Sequence, residues 1–171
     1  AECKRIFESG REIESGKIAA PVLYAESDGV WVHLQRENRR SAEVRVGIMS
    51  TGRKQIGKGR YRLENKRCIT AIGMNSEMWQ EQLVREAHLT YDLSQTKLLI
   101  SGGDGNQWVR HSFDRMEIHQ EFVLDRFHLH RAARRAFQDR SKARQWVTRL
   151  RQEDFATIHK DLRKLIEMAE G

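Results

Sequence analysis

The run Val22-Leu23-Tyr24-Ala25-Glu26-Ser27-Asp28-Gly29-Val30-Trp31-Val32, with Leu34 just beyond it, decides how this chain is read. Two apolar runs flank a short polar interruption, the pattern of a strand buried in a sheet with an acid, Asp28, set into it. Working outward, Ala42, Val44, Val46 and Ile48 alternate with Glu43, Arg45 and Gly47 at period two, which predicts a second strand with one polar face. Thr51-Gly52 and Gly57-Lys58-Gly59 supply turn chemistry, and Tyr61, Leu63 and the run from Cys68 to Ile72 read as a third strand, completing an antiparallel meander. On the N-terminal side, residues 1–20 read as a polar, partly helical lead-in.

The period then switches to 3.6. Asn75 or Ser76 caps a helix over Glu77 to His88, whose Trp79, Leu83 and Ala87, joined by Val84, make one apolar stripe. Lys97 to Ile100 is a short buried strand that runs into Ser101-Gly102-Gly103-Asp104-Gly105, followed by a helical Gln107 to Phe113. Glu121 to Leu124 reads as a strand that ends at Asp125, and from Leu129 onward the apolar residues keep helical spacing. The order strand, strand, strand, helix, strand, helix, strand, helices predicts an α/β (α+β) fold with a mixed sheet, the meander at one edge and parallel strands reached by helical crossovers. By analogy it is also the order of the ribonuclease H-like fold. The expected organisation is a lead-in over 1–20, a core over 21–128 and a basic helical segment over 129–171.

Composition narrows the function classes. With 171 residues, 39% hydrophobic and 32% charged, the chain is neither a disordered polymer nor a membrane protein, and it has room for one domain plus an appendage. Two cysteines, Cys3 and Cys68, build neither a disulfide framework nor a CxxC metal site, so a reducing, cytoplasmic setting without membrane association is expected. The opening residues carry charges at once, in place of a secretory signal, and read as an excised piece of something longer. The net charge of +7 is unevenly placed: Arg36 to Arg67 holds 11 basic and 3 acidic residues, Arg126 to Gly171 holds 12 and 6, and the remainder is acidic. Positive surface beside negative surface suits a polyanion held next to a carboxylate site, although a solvated surface with clustered charges has the same composition. Arg39, Arg40, Arg53, Lys54, Lys58 and Arg60 on strands and turns, and Arg131, Arg134 and Arg135 on helices, are the candidate phosphate contacts. Trp31, Trp79, Trp108 and Trp146 read as core residues, given their apolar neighbours.

Asp28, Asp104 and Asp125 share a context, each interrupting or following an apolar strand. Carboxylates at strand positions of one sheet can converge on a pair of Mg²⁺ or Mn²⁺ ions about 4 Å apart, the arrangement for in-line displacement at phosphorus. Each is equally explicable as a turn or capping aspartate. Asp125 and His128, three apart, fall on one helical face, where a capping Asp beside a satisfied His is the commoner meaning and zinc lacks its other ligands. The Gly102 to Gly105 run fits neither GxxxxGK[ST] nor GxGxxG, which sets nucleotide loops aside.

Four stretches, LYAESDGVWVHLQRE, KGRYRLENKRCITAIG, LISGGDGNQWVR and FVLDRFHLHRA, together resemble a family of bacterial insertion-sequence transposases related to the Mutator-like superfamily. The resemblance covers Val22 to Ala136. It implies a ribonuclease H-like DDE catalytic domain in which Asp28 and Asp104 are the first and second catalytic aspartates and metal ligands, and Asp125 with His128 is the C/D-x-x-H signature supporting the site. It further implies Mg²⁺ or Mn²⁺ in a two-metal site, double-stranded DNA as element ends and target, and a homo-oligomer in the active complex. Residues from Leu129 onward resemble the start of the helical insertion that precedes the final glutamate in such enzymes. Glu153, Asp154, Glu167 and Glu170 each sit in a charged helical pattern, so the third acid is expected to lie outside this chain and the fragment to be inactive alone. A structure-specific nuclease on the same fold, or a non-catalytic DNA-binding descendant, are the rival expectations.

Overall fold

A computed structural model describes residues 16–36, 40–137, 139–152 and 155–170. They divide into two compact units, the first ending at Val123 and the second running from Leu124. The first is a mixed α/β unit around a five-stranded sheet, and the second is helical.

The first unit has strands β1 (Ile18–Ala19), β2 (Val22–His33), β3 (Ser41–Ser50), β4 (Gly52–Gly57), β5 (Arg60–Glu64), β6 (Arg67–Ile72), β7 (Tyr91–Asp92), β8 (Leu98–Gly103) and β9 (Gln120–Leu124), and helices α1 (Ser76–Thr90) and α2 (Gln107–Arg110). The main sheet runs in the order β6-β3-β2-β8-β9. β2 is antiparallel to β3, β3 is antiparallel to β6, and β2 is parallel to β8. The meander and the parallel crossover therefore both exist as the sequence pattern requires. The third strand differs: Tyr61 and Leu63 do not continue into Cys68–Ile72 but belong to a separate β4–β5 hairpin, because the Lys58–Gly59 turn, with Gly59 at φ +69°, folds the chain back on itself. The strand that completes the meander is β6 alone. Within the lead-in, Ile18 and Ala19 pair in parallel with Tyr91 and Asp92, while residues 1–15 lie outside the described residues.

Alternation sets the two faces of the sheet. Leu23, Ala25, Met49, Ile69, Ala71 and Leu99 are buried on one face, against which α1 lays its stripe of Trp79, Leu83 and Ala87. Asn75 caps that helix, its side chain accepting from the Met78 N–H at 2.8 Å, and Glu77 stands in the first turn where the helix dipole favours an acid. Arg115 donates to Glu77 at 2.7 Å and to Glu81 at 2.9 Å, holding the short 3₁₀ turn Asp114–Met116 against α1. The expected helix from Gln107 to Phe113 is shorter than its pattern: α2 stops at Arg110 and the chain continues through that turn, which buries Phe113 and Met116. The opposite face carries Tyr24, Val30 and Ile72, all exposed. Trp79 is fully buried as expected, but Trp31 is 68% exposed, because it lies on the part of β2 that outruns both the helix and β8.

The second unit comprises α3 (Arg126–Phe137), α4 (Arg140–Arg151) and α5 (Phe155–Glu170). Ala133, Ala143 and Val147 form its core with Phe137 and Trp146, whose rings lie 5.7 Å apart. Arg149 pairs with Asp161 at 2.7 Å, joining α4 to α5. No helix among the described residues is long and apolar enough to cross a membrane.

Candidate functional site

Topology puts Asp28 and Asp104 at the same end of two adjacent parallel strands. The parallel ladder pairs Val22 with Leu98 and ends at Glu26 with Gly102; Asp28 lies two residues further along β2, and Asp104 two residues further along the chain, just past the end of β8. The two strands stay close at the intermediate step, since a Cβ on Gly103 would lie 2.8 Å from the Ser27 carbonyl and 2.2 Å from Val109 Cγ1. Only glycine lets α2 and β2 close on that point. Because successive residues of a strand face opposite ways, Ser27 and Gly103 look toward the helices, while Glu26, Asp28 and Gly102 lie on the other face. Neighbouring strands are about 4.8 Å apart, within the reach of two carboxylates on one ion.

Each aspartate is tied to the backbone by one oxygen only. Asp28 Oδ1 accepts from the Gly29 N–H at 2.7 Å, and Asp104 Oδ1 accepts from the Asn106 N–H at 2.9 Å, shaping the turn into α2. Among the described residues the second oxygen of each meets no hydrogen-bond donor. Asp28 is exposed and Asp104 half-buried.

The covered face braces this level of the sheet. The Trp79 indole N–H donates to Ser27 Oγ at 3.3 Å, and the buried Ser112 hydroxyl lies 3.2 Å from the same oxygen. Beside them Arg45, 8% exposed, donates through Nε to Glu43 at 3.1 Å and stacks its guanidinium 4.4 Å from the centre of the Trp108 ring. Trp108 also occupies the space in which Gly29 would carry a Cβ, 2.8 Å from its Cζ2. The helix that follows Asp104 is thereby locked to the strand that carries Asp28. Trp108 is a half-buried bracing residue whose partner is a cation, a role its apolar neighbours in sequence did not reveal.

The family model for Uncharacterised protein family (UPF0236) matches residues 4–171. The chain belongs to that family. Among curated proteins none matches it.

In this UPF0236 chain Asp125 and His128 lie in the second unit and are bonded to each other. Asp125 Oδ1 accepts from the Phe127 N–H at 2.7 Å, and Oδ2 lies 2.7 Å from His128 Nδ1. Together with the Leu129 N–H, which donates to the Asp125 carbonyl at 2.9 Å, this is the N-terminal cap of α3. The Phe127 N–H and then His128 hold the Asp125 carboxyl below its ordinary range. Of the candidate phosphate contacts, Arg39 lies outside the described residues. Arg40, Arg53, Lys54, Lys58 and Arg60 are exposed, as are Arg131, Arg134 and Arg135 on α3. Of the carboxylates weighed for the third acid, Glu153 and Asp154 lie outside the described residues, and Glu167 is exposed.

One carboxylate was missed. Glu26 is two residues before Asp28 on the same face, and its Cγ lies 3.8 Å from where a Gly102 Cβ would be. The spacing Glu-x-Asp within a strand is the signal that places both on one side. Among the described residues no three His, Cys, Asp or Glu side chains gather closely enough to hold an ion by themselves.

Proposed function

We propose that this chain carries the catalytic core of a DDE-type DNA transposase, a ribonuclease H-like polynucleotidyl transferase in which Asp28 and Asp104 hold Mg²⁺ or Mn²⁺. One observation supports the reading most: the parallel β2–β8 pairing ends at Glu26 with Gly102, so Asp28 and Asp104 follow it at the same end of adjacent strands. The strand order β6-β3-β2-β8-β9, with an antiparallel meander and a parallel β2–β8 pair, supports it.

The donor chemistry fits the ion. Mg²⁺ takes hard oxygen ligands, keeps several waters, and is commonly held by one or two carboxylates together with substrate phosphates. Asp28 and Asp104 supply two such groups, each with an oxygen that no donor among the described residues claims. When bound, the ion would lower the pKa of an attacking water or 3′-hydroxyl and offset charge on the phosphate. The residues themselves do the positioning. Asp28 is fixed along a continuous strand, Asp104 is fixed by its turn into α2, and the Arg45–Trp108 brace stops the two elements sliding past one another. In the reaction, water displaces the 3′-oxygen of one DNA strand at phosphorus, and the freed 3′-hydroxyl then displaces the corresponding oxygen of the target strand. Bonds broken and formed balance in each step, so no redox cofactor is needed.

The test is strand cleavage and strand transfer by the full-length protein carrying Asp28→Asn or Asp104→Asn. Both activities should fall by more than about 100-fold with DNA binding retained. Cleavage without joining in the unsubstituted protein identifies a nuclease, and metal-independent DNA binding with no cleavage identifies a non-catalytic protein; either outcome overturns the transposase reading.

A further inference from the structure

The β4–β5 hairpin takes no part in the site above, and its construction calls for an external partner. It is a two-stranded sheet of its own, with every residue from Arg53 to Glu64 exposed. Isolated hairpins are marginal in water, yet this one is firmly rooted. The Thr51 N–H donates to the Glu64 carbonyl at 3.1 Å, Asn65 Nδ2 donates to Thr51 Oγ1 at 2.9 Å, and the buried Tyr91 hydroxyl donates to the Asn65 carbonyl at 2.6 Å. The root is clamped to the core while the arm stands in solvent.

The arm is strongly basic and its register works against its own stability. From Arg53 to Lys66 there are six basic residues and one acid. Lys54 lies directly opposite Arg62, one cation on each strand. Like charges so placed repel at a Cβ separation of about 5 Å. Neither is ion-paired to a described residue. The other face carries Tyr61 and Leu63, with the Arg53 guanidinium 4.7 Å from the Tyr61 ring centre. The tip adds Lys58 and Arg60 around the narrow Gly59 turn.

We propose that this arm is a docking ribbon for the major groove of duplex DNA. A two-stranded ribbon fits the major groove of B-form DNA, about 12 Å wide, and the phosphates that line both walls of the groove would neutralise Lys54 from one side and Arg62 from the other. The A-form major groove of duplex RNA is too deep and narrow to admit it. The proposal rests on the transposase reading for its duplex DNA partner and gathers the candidate phosphate contacts Arg53, Lys54, Lys58 and Arg60 on one ribbon, but it uses none of the metal-site residues.

The experiment titrates a duplex DNA of arbitrary sequence, and an RNA duplex of the same sequence, with the full chain across a salt series. The unsubstituted chain should prefer DNA. Lys54→Gln with Arg62→Gln should weaken DNA binding about tenfold at 0.15 M salt and flatten the slope of log affinity against log salt by about 2, with the divalent-ion titration unchanged. Lys54→Glu is the sharper variant: it sets a carboxylate against Arg62, so the hairpin amides should exchange more slowly while DNA affinity falls. Run in chelator, the DNA titration does not depend on the metal site, which separates failure of that site from failure of the ribbon. Absence of DNA binding, an unchanged slope in the double variant, or equal binding and equal loss with RNA would overturn the proposal.

Discussion

Two pairs of residues read alike in the sequence, Asp28 with Asp104 and Asp125 with His128, and the fold treats them in opposite ways. Asp125 and His128 are three residues apart and satisfy each other within one helical turn, so the cap of α3 accounts for both. Asp28 and Asp104 are far apart in sequence and follow the same end of a parallel ladder. Nothing local explains why two acids should stand past the same end of adjacent strands with an oxygen of each meeting no donor among the described residues. The comparison teaches that spacing within an element is readily absorbed by that element, whereas convergence from distant elements must be sought in register.

The largest expected effect breaks this comparison at its distal pair. Asp28→Asn or Asp104→Asn should weaken Mn²⁺ binding by more than about 100-fold, and Asp125→Asn should leave it within a few-fold, both read by calorimetry. The next effect comes from the glycine that lets the register close. Gly103→Ala would force its Cβ into Val109 and the Ser27 carbonyl, and should cost about 2–3 kcal/mol in denaturant unfolding of the first unit together with the metal affinity.

Much of this was legible beforehand. Strict period-two alternation at Ala42 to Ile48 and the 3.6 stripe of Trp79, Leu83 and Ala87 each match a single element, and both form where the pattern puts them. Asp28 inside a strand and Asp104 just after one were legible too, but that the two strands are parallel neighbours was not, because strand order and register are non-local properties. The β4–β5 hairpin was hidden by Tyr61 and Leu63, which look like the interior of a sheet strand and instead pack against a cation in solvent. The Arg45–Trp108 brace was hidden for a related reason: a buried arginine stacked on an indole leaves no apolar period to read.

The pH limits of the two units sharpen the contrast at smaller magnitude. Burial pushes the Tyr91 phenol up to about 12. Its neutral form is therefore favoured in the folded state, so its contribution is complete below the ordinary tyrosine value near 10 and is lost as pH rises from there to about 12, on the order of 2 kcal/mol. Tyr91→Phe should remove that alkaline step in chemical denaturation of the first unit and loosen the hairpin root. Asp125 runs the other way. Its depressed carboxyl contributes above the ordinary range and loses that contribution as pH falls through the lowered value, so α3 should fray in acid. Asp125→Ala should cost about 1 kcal/mol, confined to the second unit and visible as faster amide exchange in the first turn of α3.

The central claim is that Asp28 and Asp104 form one divalent-ion site, and Mn²⁺ titration of the chain beside its Asp28→Asn, Asp104→Asn and Asp125→Asn forms tests it most directly. The account predicts binding that disappears in either of the first two and survives in the third. Binding that persists unchanged in Asp28→Asn and Asp104→Asn would contradict it, leaving both aspartates as turn and strand residues of a protein whose chemistry lies elsewhere.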